Sequence, residues 1–340
     1  PPPPLFQAED GIRDIHCSLV GSEMCIRDRV LMTDRQPVLL VPELEAPRVV
    51  ERPEVFSIRA WSETEDPIGI AAGLLDGAGS VVVGDQTWAT FVLALQERLP
   101  EARFGVASPL TRELRIRKDP EELDALRRAA QAADRVAARL QEIQFSGRTE
   151  AELSRLVAAM TVEEGHQAAT FSIVASGPNG ASPHHEAGKR KIAEGDAVVV
   201  DFGGKLDGYC SDTTRMFHVG EPGPEYRKAF SILREAQATA VEAVRPGATA
   251  QAIDRTARKI IADAGYGDYF IHRTGHGIGL EAHEPPYLVE GNDFELEPAM
   301  TFSIEPGIYL PGRYGMRIED IVAVSVDGVE RLNLSDRSLS

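Results

Sequence analysis

Apolar and polar residues follow two different rhythms along the chain. From Val30 to about Lys118, short aliphatic runs (VLMTDRQPVLLVP, SVVVGD, RFGVAS) are interrupted by the helical stretch TWATFVLALQERL. This alternation predicts a small α/β domain over residues 30–118. A long helix then opens at KDPEELDALRRAAQAADRVAARLQEIQ, where Asp119 can cap and Pro120 suits the first turn. Leu123, Leu126, Ala130, Ala133, Ala137 and Leu140 form its apolar stripe, which is packing surface. TEAE at Thr149 has the form of a capping box and opens a second helix. Two more run from about Pro224 to Val244, closed by Pro246-Gly247, and from about Thr249 to Ala264, closed by Gly265. The remainder is strand-like: TFSIVASG, DAVVVDFGG, YCSDTTRMFHV, MTFSIEPGIYL and GMRIEDIVAV. Helices flanking mostly antiparallel strands predict an α+β fold for the second domain, residues 119–340.

Two strand-like segments carry charge where burial is expected. In VVVDFGGKLDGYCSDTTR, Asp201 ends a valine run and Asp212 follows a Gly-rich turn. A two-residue loop on Leu206-Asp207 sets Asp201 directly opposite Asp212, whereas a loop on Asp207-Gly208 sets them diagonally. Either register leaves both carboxylates on one sheet face. Between FSIEPGIYL and GMRIED, a loop centred on Gly312 likewise sets Glu305 opposite Glu319. Four buried carboxylates require roughly two divalent cations to balance them. RTGHGIGLEAHEPP adds His276 between two glycines, which allow close backbone approach, and His283 seven residues on. That gap is not the HExxH spacing of a zincin.

Composition narrows the partners. The 340 residues hold 36 basic and 53 acidic side chains, a net charge of −17, which repels nucleic acid and anionic lipid. No apolar run reaches the length of a membrane span. Nothing before residue 118 has the form of a phosphate loop or a nucleophile elbow.

The ordered series DFGG, SDTTR, TGHGIGLEAHE, IEPG and RIED resembles the pita-bread metallopeptidases, which comprise Xaa-Pro dipeptidases (prolidases), aminopeptidases P and methionine aminopeptidases. The resemblance covers roughly residues 120–335. It implies a C-terminal pita-bread domain (the creatinase/aminopeptidase fold) with Asp201, Asp212, His276, Glu305 and Glu319 as metal ligands, Asp212 and Glu319 bridging two ions. It implies that His184, in ASPH, and His283 are substrate-side catalytic histidines, that Glu305 accepts a proton, and that Arg317 binds substrate. Arg317 has the alternative of pairing with a nearby carboxylate for stability alone. Oxygen-rich ligation with one imidazole suits manganese, with cobalt or zinc as substitutes. An N-terminal α/β domain favours the prolidase and aminopeptidase P branch, hence a proline-containing di- or oligopeptide substrate and a homodimer. Two other readings stay open: a non-catalytic member of the fold that binds a protein or RNA, and a metal-independent, creatinase-like C–N hydrolase. His185 reads as a rim residue, His272 as a packing or supporting group, and Cys210 as a small buried thiol.

Residues 1–29 stand apart. The codons CAA GCA GAA GAC GGC ATA CGA GAT encode QAEDGIRD, and CTC GTG GGC TCG GAG ATG TGT ATA AGA GAC encode LVGSEMCIRD; both resemble short-read sequencing adapters. We read Gln7 to Arg29 as translated adapter rather than as a signal peptide or native structure. The N-terminal domain is then expected to lack its first strand and helix. The segment carries five acids and three arginines, so the remainder has charge −15 and the acidic balance stands. It also carries Cys17 and Cys25, leaving only Cys210, which cannot form an internal disulfide and fits a reducing cytoplasm. Sequencing the source locus is expected to show no such codons in genomic DNA; their presence between native coding sequence would overturn this reading.

Overall fold

Two units divide between Glu113 and Leu114 in the computed structural model, which describes residues 16–17, 29–31 and 36–339. Apart from 16–17 and 29, the adapter-like segment lies outside the described residues. The first unit runs β1 (His16–Cys17), β2 (Arg29–Leu31), β3 (Val38–Pro42), β4 (Ser57–Trp61), α1 (Pro67–Leu74), β5 (Ser80–Val83), α2 (Ala89–Arg98) and β6 (Arg103–Val106), and α3 (Ser108–Arg115) follows. β5 pairs in parallel with β1 and β6, and β3 pairs in parallel with β4 and antiparallel with β2. Its core packs Leu40, Leu75, Val81, Phe91 and Leu95. β4, α1 and α3 were not anticipated from the pattern. α1 nevertheless begins as the long helix does, with Asp66 accepting from the Ile68 amide at 3.0 Å and Pro67 behind it.

The second unit starts with α4 (Pro120–Leu140) and α5 (Glu150–Glu163), both opened by reciprocal capping boxes, Asp119 with Glu122 and Thr149 with Glu152. Each cap stabilises its helix by about 1 kcal/mol. β7 (Ala168–Ser176), β8 (Ala197–Leu206), β9 (Tyr209–Cys210) and β10 (Thr213–His218) form an antiparallel sheet with β8 in the middle. Next come α6 (Pro224–Glu242) and α7 (Ala250–Asp263), then β11 (Gly275–Gly277), β12 (Glu284–Leu288), β13 (Thr301–Ile304), β14 (Gly307–Leu310), β15 (Tyr314–Arg317), β16 (Asp320–Val324) and β17 (Val329–Arg331). The order β12-β11-β13-β16-β17 is antiparallel throughout, and β14 and β15 form their own hairpin. This is the expected α+β architecture. β11, β12 and β17 were missed: β11 is a three-residue GHG with no apolar periodicity to read.

β8 is buried on both faces. Val198, Val200 and Phe202 pack with α4 and α5, while Ala197 and Val199 join the core containing α6 and α7. Asp201 has the parity of Val199, so the sheet delivers its carboxylate into the second core. The turn is Asp207-Gly208, with φ values of 51° and 84°. Both lie in the left-handed region that a two-residue hairpin of this type requires. Thr214 therefore faces Asp201, and Asp212 sits diagonally, two residues before Thr214.

Because a one-residue slip reverses every side chain, inserting one residue between Asp207 and Gly208 is expected to abolish divalent-cation binding, read by calorimetry, while far-ultraviolet circular dichroism stays near the parent's. Full metal occupancy in the insertion variant would contradict it.

Candidate metal centre

The two acid-bearing hairpins bring their carboxylates together. Between β13–β16 and β14–β15 the ladder breaks for two residues on each side, and Glu305 and Glu319 occupy that break in the register set by Ile304 opposite Asp320 and Gly307 opposite Arg317. The amide of Glu305 donates to the Thr274 carbonyl at 2.8 Å, and that of Glu319 to the Thr214 carbonyl at 3.3 Å. Arg215 crosses from β10 and donates to the Glu319 carbonyl at 2.6 Å and to buried Asp320 at 2.7 Å. The second hairpin is thereby tied to the first at the residues beside Asp212.

His276 reaches the cluster because β11 threads narrowly between β12 and β13. A Cβ at Gly275 would lie 1.9 Å from the Ser303 carbonyl oxygen, and one at Gly277 would lie 2.3 Å from that of Pro285. Only glycine fits on either side. Upstream, buried Asp254 accepts from the Thr274 amide and hydroxyl at 3.1 and 2.7 Å, and the Arg258 guanidinium grips the same carboxylate at 2.9 and 3.0 Å.

The acidic and imidazole side chains form overlapping triads. In Asp201–Asp212–Glu319, in His276–Glu305–Glu319 and in Asp212–His276–His283, one ligand atom per residue lies within 4.8 Å of the others. Glu319 and Asp212 each belong to two triads, including the one with Asp201. Two adjacent cation positions sharing these carboxylates fit that overlap. All five residues expected as ligands are thus brought together, with His283 beside them, its ring 4.0 Å from that of His276 between centroids.

Electrostatics identify what the cluster lacks. Burial first, then repulsion from neighbouring carboxylates, raises Asp212 and Glu319 well above the ordinary range. Burial also raises Asp201, opposed by the Arg317 guanidinium 2.5 Å away. Burial acts to raise Glu305 too, but the hydrogen bond and charge of His276, at 3.2 Å, hold it down at about 2. One oxygen each of Asp201 and Glu319 is buried with no hydrogen-bond partner. Such orphaned acceptors are costly in a protein interior and are the atoms a hard divalent cation takes. The donor set, carboxylate oxygens with one imidazole nitrogen, fits a hard divalent cation.

Arg317 is 3% exposed and all three of its nitrogens are engaged: Nε with the Thr214 hydroxyl at 3.0 Å, Nη1 with the Tyr309 hydroxyl at 2.8 Å, Nη2 with Asp201. This is the carboxylate-pairing alternative, and it leaves the expected substrate contact without a free nitrogen. Thr214 also donates to Glu319 at 2.7 Å, and Tyr309 hydrogen-bonds His272 at 2.9 Å. Sequence reasoning missed both Thr214 and Tyr309, although strand parity carried the signal. Thr214 lies two residues after Asp212, and Tyr309 four after Glu305. His184 is exposed, close enough for its charge to weigh on His283. His283 has an exposed surface but a ring seated against the cluster; desolvation there, then His276, lowers it to about 4. Cys210 is buried, and burial pushes its thiol up to about 11.

A raised carboxylate stabilises the metal-free fold below its ordinary pKa, and that contribution is lost as pH rises through the raised value. Cations replace those protons, so metal binding strengthens with pH. His283 moves the other way, because the unfolded chain protonates before the native one below about pH 6.5; comparing loaded and metal-free protein at each pH largely removes its contribution. Saturating Mn2+ is expected to raise Tm by roughly 5–10 °C at pH 7.5 and by clearly less at pH 5.5. An equal gain at both pH values would count against the cluster as the binding site.

The chain resembles known proteins over most of its length. A profile described as "Metallopeptidase family M24" matches residues 124–325, and one described as "Creatinase/Prolidase N-terminal domain" matches residues 29–117. The Mycobacterium bovis protein described as "Probable dipeptidase PepE" is 44% identical over 326 residues, spanning 93% of this chain and 87% of that one. An Xaa-Pro dipeptidase of Pyrococcus furiosus is 35% identical over 314 residues, 91% of this chain and 88% of its own. The crystal structure of a recombinant prolidase from Thermococcus sibiricus superposes with a TM-score of 0.90 at 37% identity, covering 97% of this chain and 94% of the other.

Proposed function

The chain belongs to metallopeptidase family M24, with a creatinase/prolidase N-terminal domain ahead of the peptidase domain, and from that premise we propose that it hydrolyses the peptide bond preceding proline with the help of two divalent cations. The observation that carries the dinuclear reading is the set of overlapping triads, with Glu319 and Asp212 shared between them and two buried oxygens left without partners. Asp201, Asp212, His276, Glu305 and Glu319 would hold the ions, manganese being the best match to the donor set. When bound, such ions supply Lewis acidity and a nucleophilic water at neutral pH.

The chain's own residues supply the rest. Glu305, one of the residues that would hold the ions, would take a proton from the attacking water. Its orientation is fixed by the Ser303 hydroxyl, which donates at 3.1 Å, and by His276. His283, lowered to about 4, is neutral at pH 7 and donates an N–H to the developing oxyanion as an uncharged imidazole. His184 holds the substrate backbone from the rim. Arg317 supports Asp201 from behind. A bond preceding proline is a tertiary amide without an N–H, so recognition must come from the pocket and carbonyl activation rather than from that donor.

The named relatives, a dipeptidase and two Xaa-Pro dipeptidases or prolidases, favour the dipeptidase arm over the aminopeptidase arm. A complete set of five candidate ligands also favours a hydrolase over a non-catalytic binding protein or a metal-independent creatinase-like enzyme. We further propose a homodimer working in the cytoplasm; among the described residues, no helix is long and apolar enough to cross a membrane.

Mn2+-loaded protein is expected to cleave Gly-Pro-type dipeptides faster than Xaa-Pro-Xaa tripeptides and to lose activity with a chelator. Glu305→Gln is expected to lower kcat by about 10²–10⁴-fold. Failure to turn over either substrate class, or activity indifferent to the chelator, would sink the assignment.

A further inference from the structure

Glu150, the first residue of α5, is 0% exposed, and no Lys or Arg hydrogen-bonds its carboxylate directly, although Arg190 is near enough to interact with it electrostatically. Its charge is met by a ring of donors. Oε1 accepts from the Ser176 amide at 2.8 Å, the Ser176 hydroxyl at 2.7 Å and the Asn179 side-chain amide at 3.0 Å. Oε2 takes the same Asn179 amide at 3.1 Å, the His185 Nε2 at 2.9 Å and the Gly188 amide at 3.3 Å. These donors come from the end of β7 and from the loop that follows it, up to residue 188. That loop carries His184. Main-chain bonds close its far end, from the Glu150 amide to the Arg190 carbonyl and from Ala151 to Gly188, each at 3.0 Å. Arg190 clamps the base through Asp196 at 2.6 and 2.8 Å and through the Ser176 hydroxyl at 2.6 Å. Gly180 lies against the backbone of Gly315, in the hairpin that ends at Arg317.

One buried carboxylate thus gathers the end of β7 at Ser176 and three residues, Asn179, His185 and Gly188, of a loop that has little apolar anchorage of its own. Ser182, Glu186 and Lys189 are exposed, as is His184. An exposed histidine on such a loop holds a fixed position only if its neighbours do. We infer that Glu150 is a positioning residue: by holding His185 and the backbone at Gly188, it fixes His184 at the rim of the carboxylate cluster for substrate binding. This inference rests on the Xaa-Pro peptidase reading and on a substrate-side role for His184. It assigns Glu150 no contact with substrate or cation. It also explains why His185 is drawn inward while its neighbour His184 stays exposed: successive side chains diverge, and only one of the two can reach Glu150.

The test uses the full Mn2+-loaded chain with a Gly-Pro dipeptide. Glu150→Gln places an amide NH2 against donors and is expected to raise KM about tenfold while leaving kcat within about threefold, with metal content unchanged. In the same variant, amide hydrogen exchange is expected to accelerate by about tenfold across residues 177–188 but not across 198–215. His184→Ala is expected to raise KM similarly, and adding Glu150→Gln to it should raise KM no further. If Glu150→Gln fails to fold, Asn179→Ala removes one donor and should give a rise of about threefold in KM. Unchanged exchange in 177–188, loss of bound metal, or effects of the two substitutions that multiply in the double variant would each overturn the inference. Normal KM in His184→Ala alongside a raised KM in Glu150→Gln would also overturn it. No turnover by the parent chain would instead overturn the peptidase reading, and with it the substrate half of this inference, while exchange would still decide whether Glu150 orders the loop.

Discussion

The second unit is organised around the cost of holding four carboxylates in one protein interior. Two unit charges about 5 Å apart repel by roughly 3 kcal/mol at an effective dielectric constant of about 20. Asp201, Asp212 and Glu319 each place a carboxylate oxygen within 4.8 Å of the others, and Glu305 lies as close to Glu319. Protein groups offset part of the repulsion. Arg317 supplies a full positive charge beside Asp201, Thr214 a hydroxyl to Glu319, and His276 a ring nitrogen to Glu305. The two orphaned oxygens on Asp201 and Glu319 mark what remains uncompensated. A fold does not retain such atoms for stability, since an apolar replacement of similar volume is often at least as stable as a buried ion cluster.

Holding that arrangement still demands a rigid surround, and the surround is built by repeating one device. Asp254 with Arg258 fixes the segment leading to His276; Glu284 with Lys118 and Arg115, at 2.7 Å each, fixes the residue after His283; Glu150 with its donors fixes the loop of His184. In each case an acid at or below 6% exposure lies behind a histidine-bearing segment. Removing one partner of the Lys118–Glu284 pair, buried on both sides, costs about 3–5 kcal/mol because the other is left buried and unpaired.

Much of the site was legible because strand parity is a strict rule. Asp201 and Asp212 share a face in either possible register, and Glu305 and Glu319 are symmetric about Gly312, so the pairing could be read before any coordinates. The choice between registers could not. It turned on which two residues adopt positive φ, and Asp207 does so as well as Gly208. The role of Arg317 was left between substrate and carboxylate because a sequence does not show which way a long side chain turns; in the structure it is buried against Thr214, Tyr309 and Asp201. β11 was illegible for a different reason. Three residues, two of them glycine, carry no periodicity, and their strand character comes from being threaded between neighbours. In the first unit α1 was missed although it opens with the same Asp-Pro pair as α4, because its eight residues are too short and too uniformly apolar to show a stripe.

The charge balance also bears on what the centre can hold. Four carboxylates and the Arg317 guanidinium sum to −3. Two divalent cations would take that sum to +1. A slightly positive, desolvated pocket favours a small anion over a neutral molecule. Amide hydrolysis generates negative charge on the carbonyl oxygen, so in the proposed reaction such a surplus would act on the transition state more than on the substrate. Losing Arg317 would erase the surplus as well as the hydrogen bond to Asp201. Its burial behind the ligand row would let it act through the net charge of the loaded site.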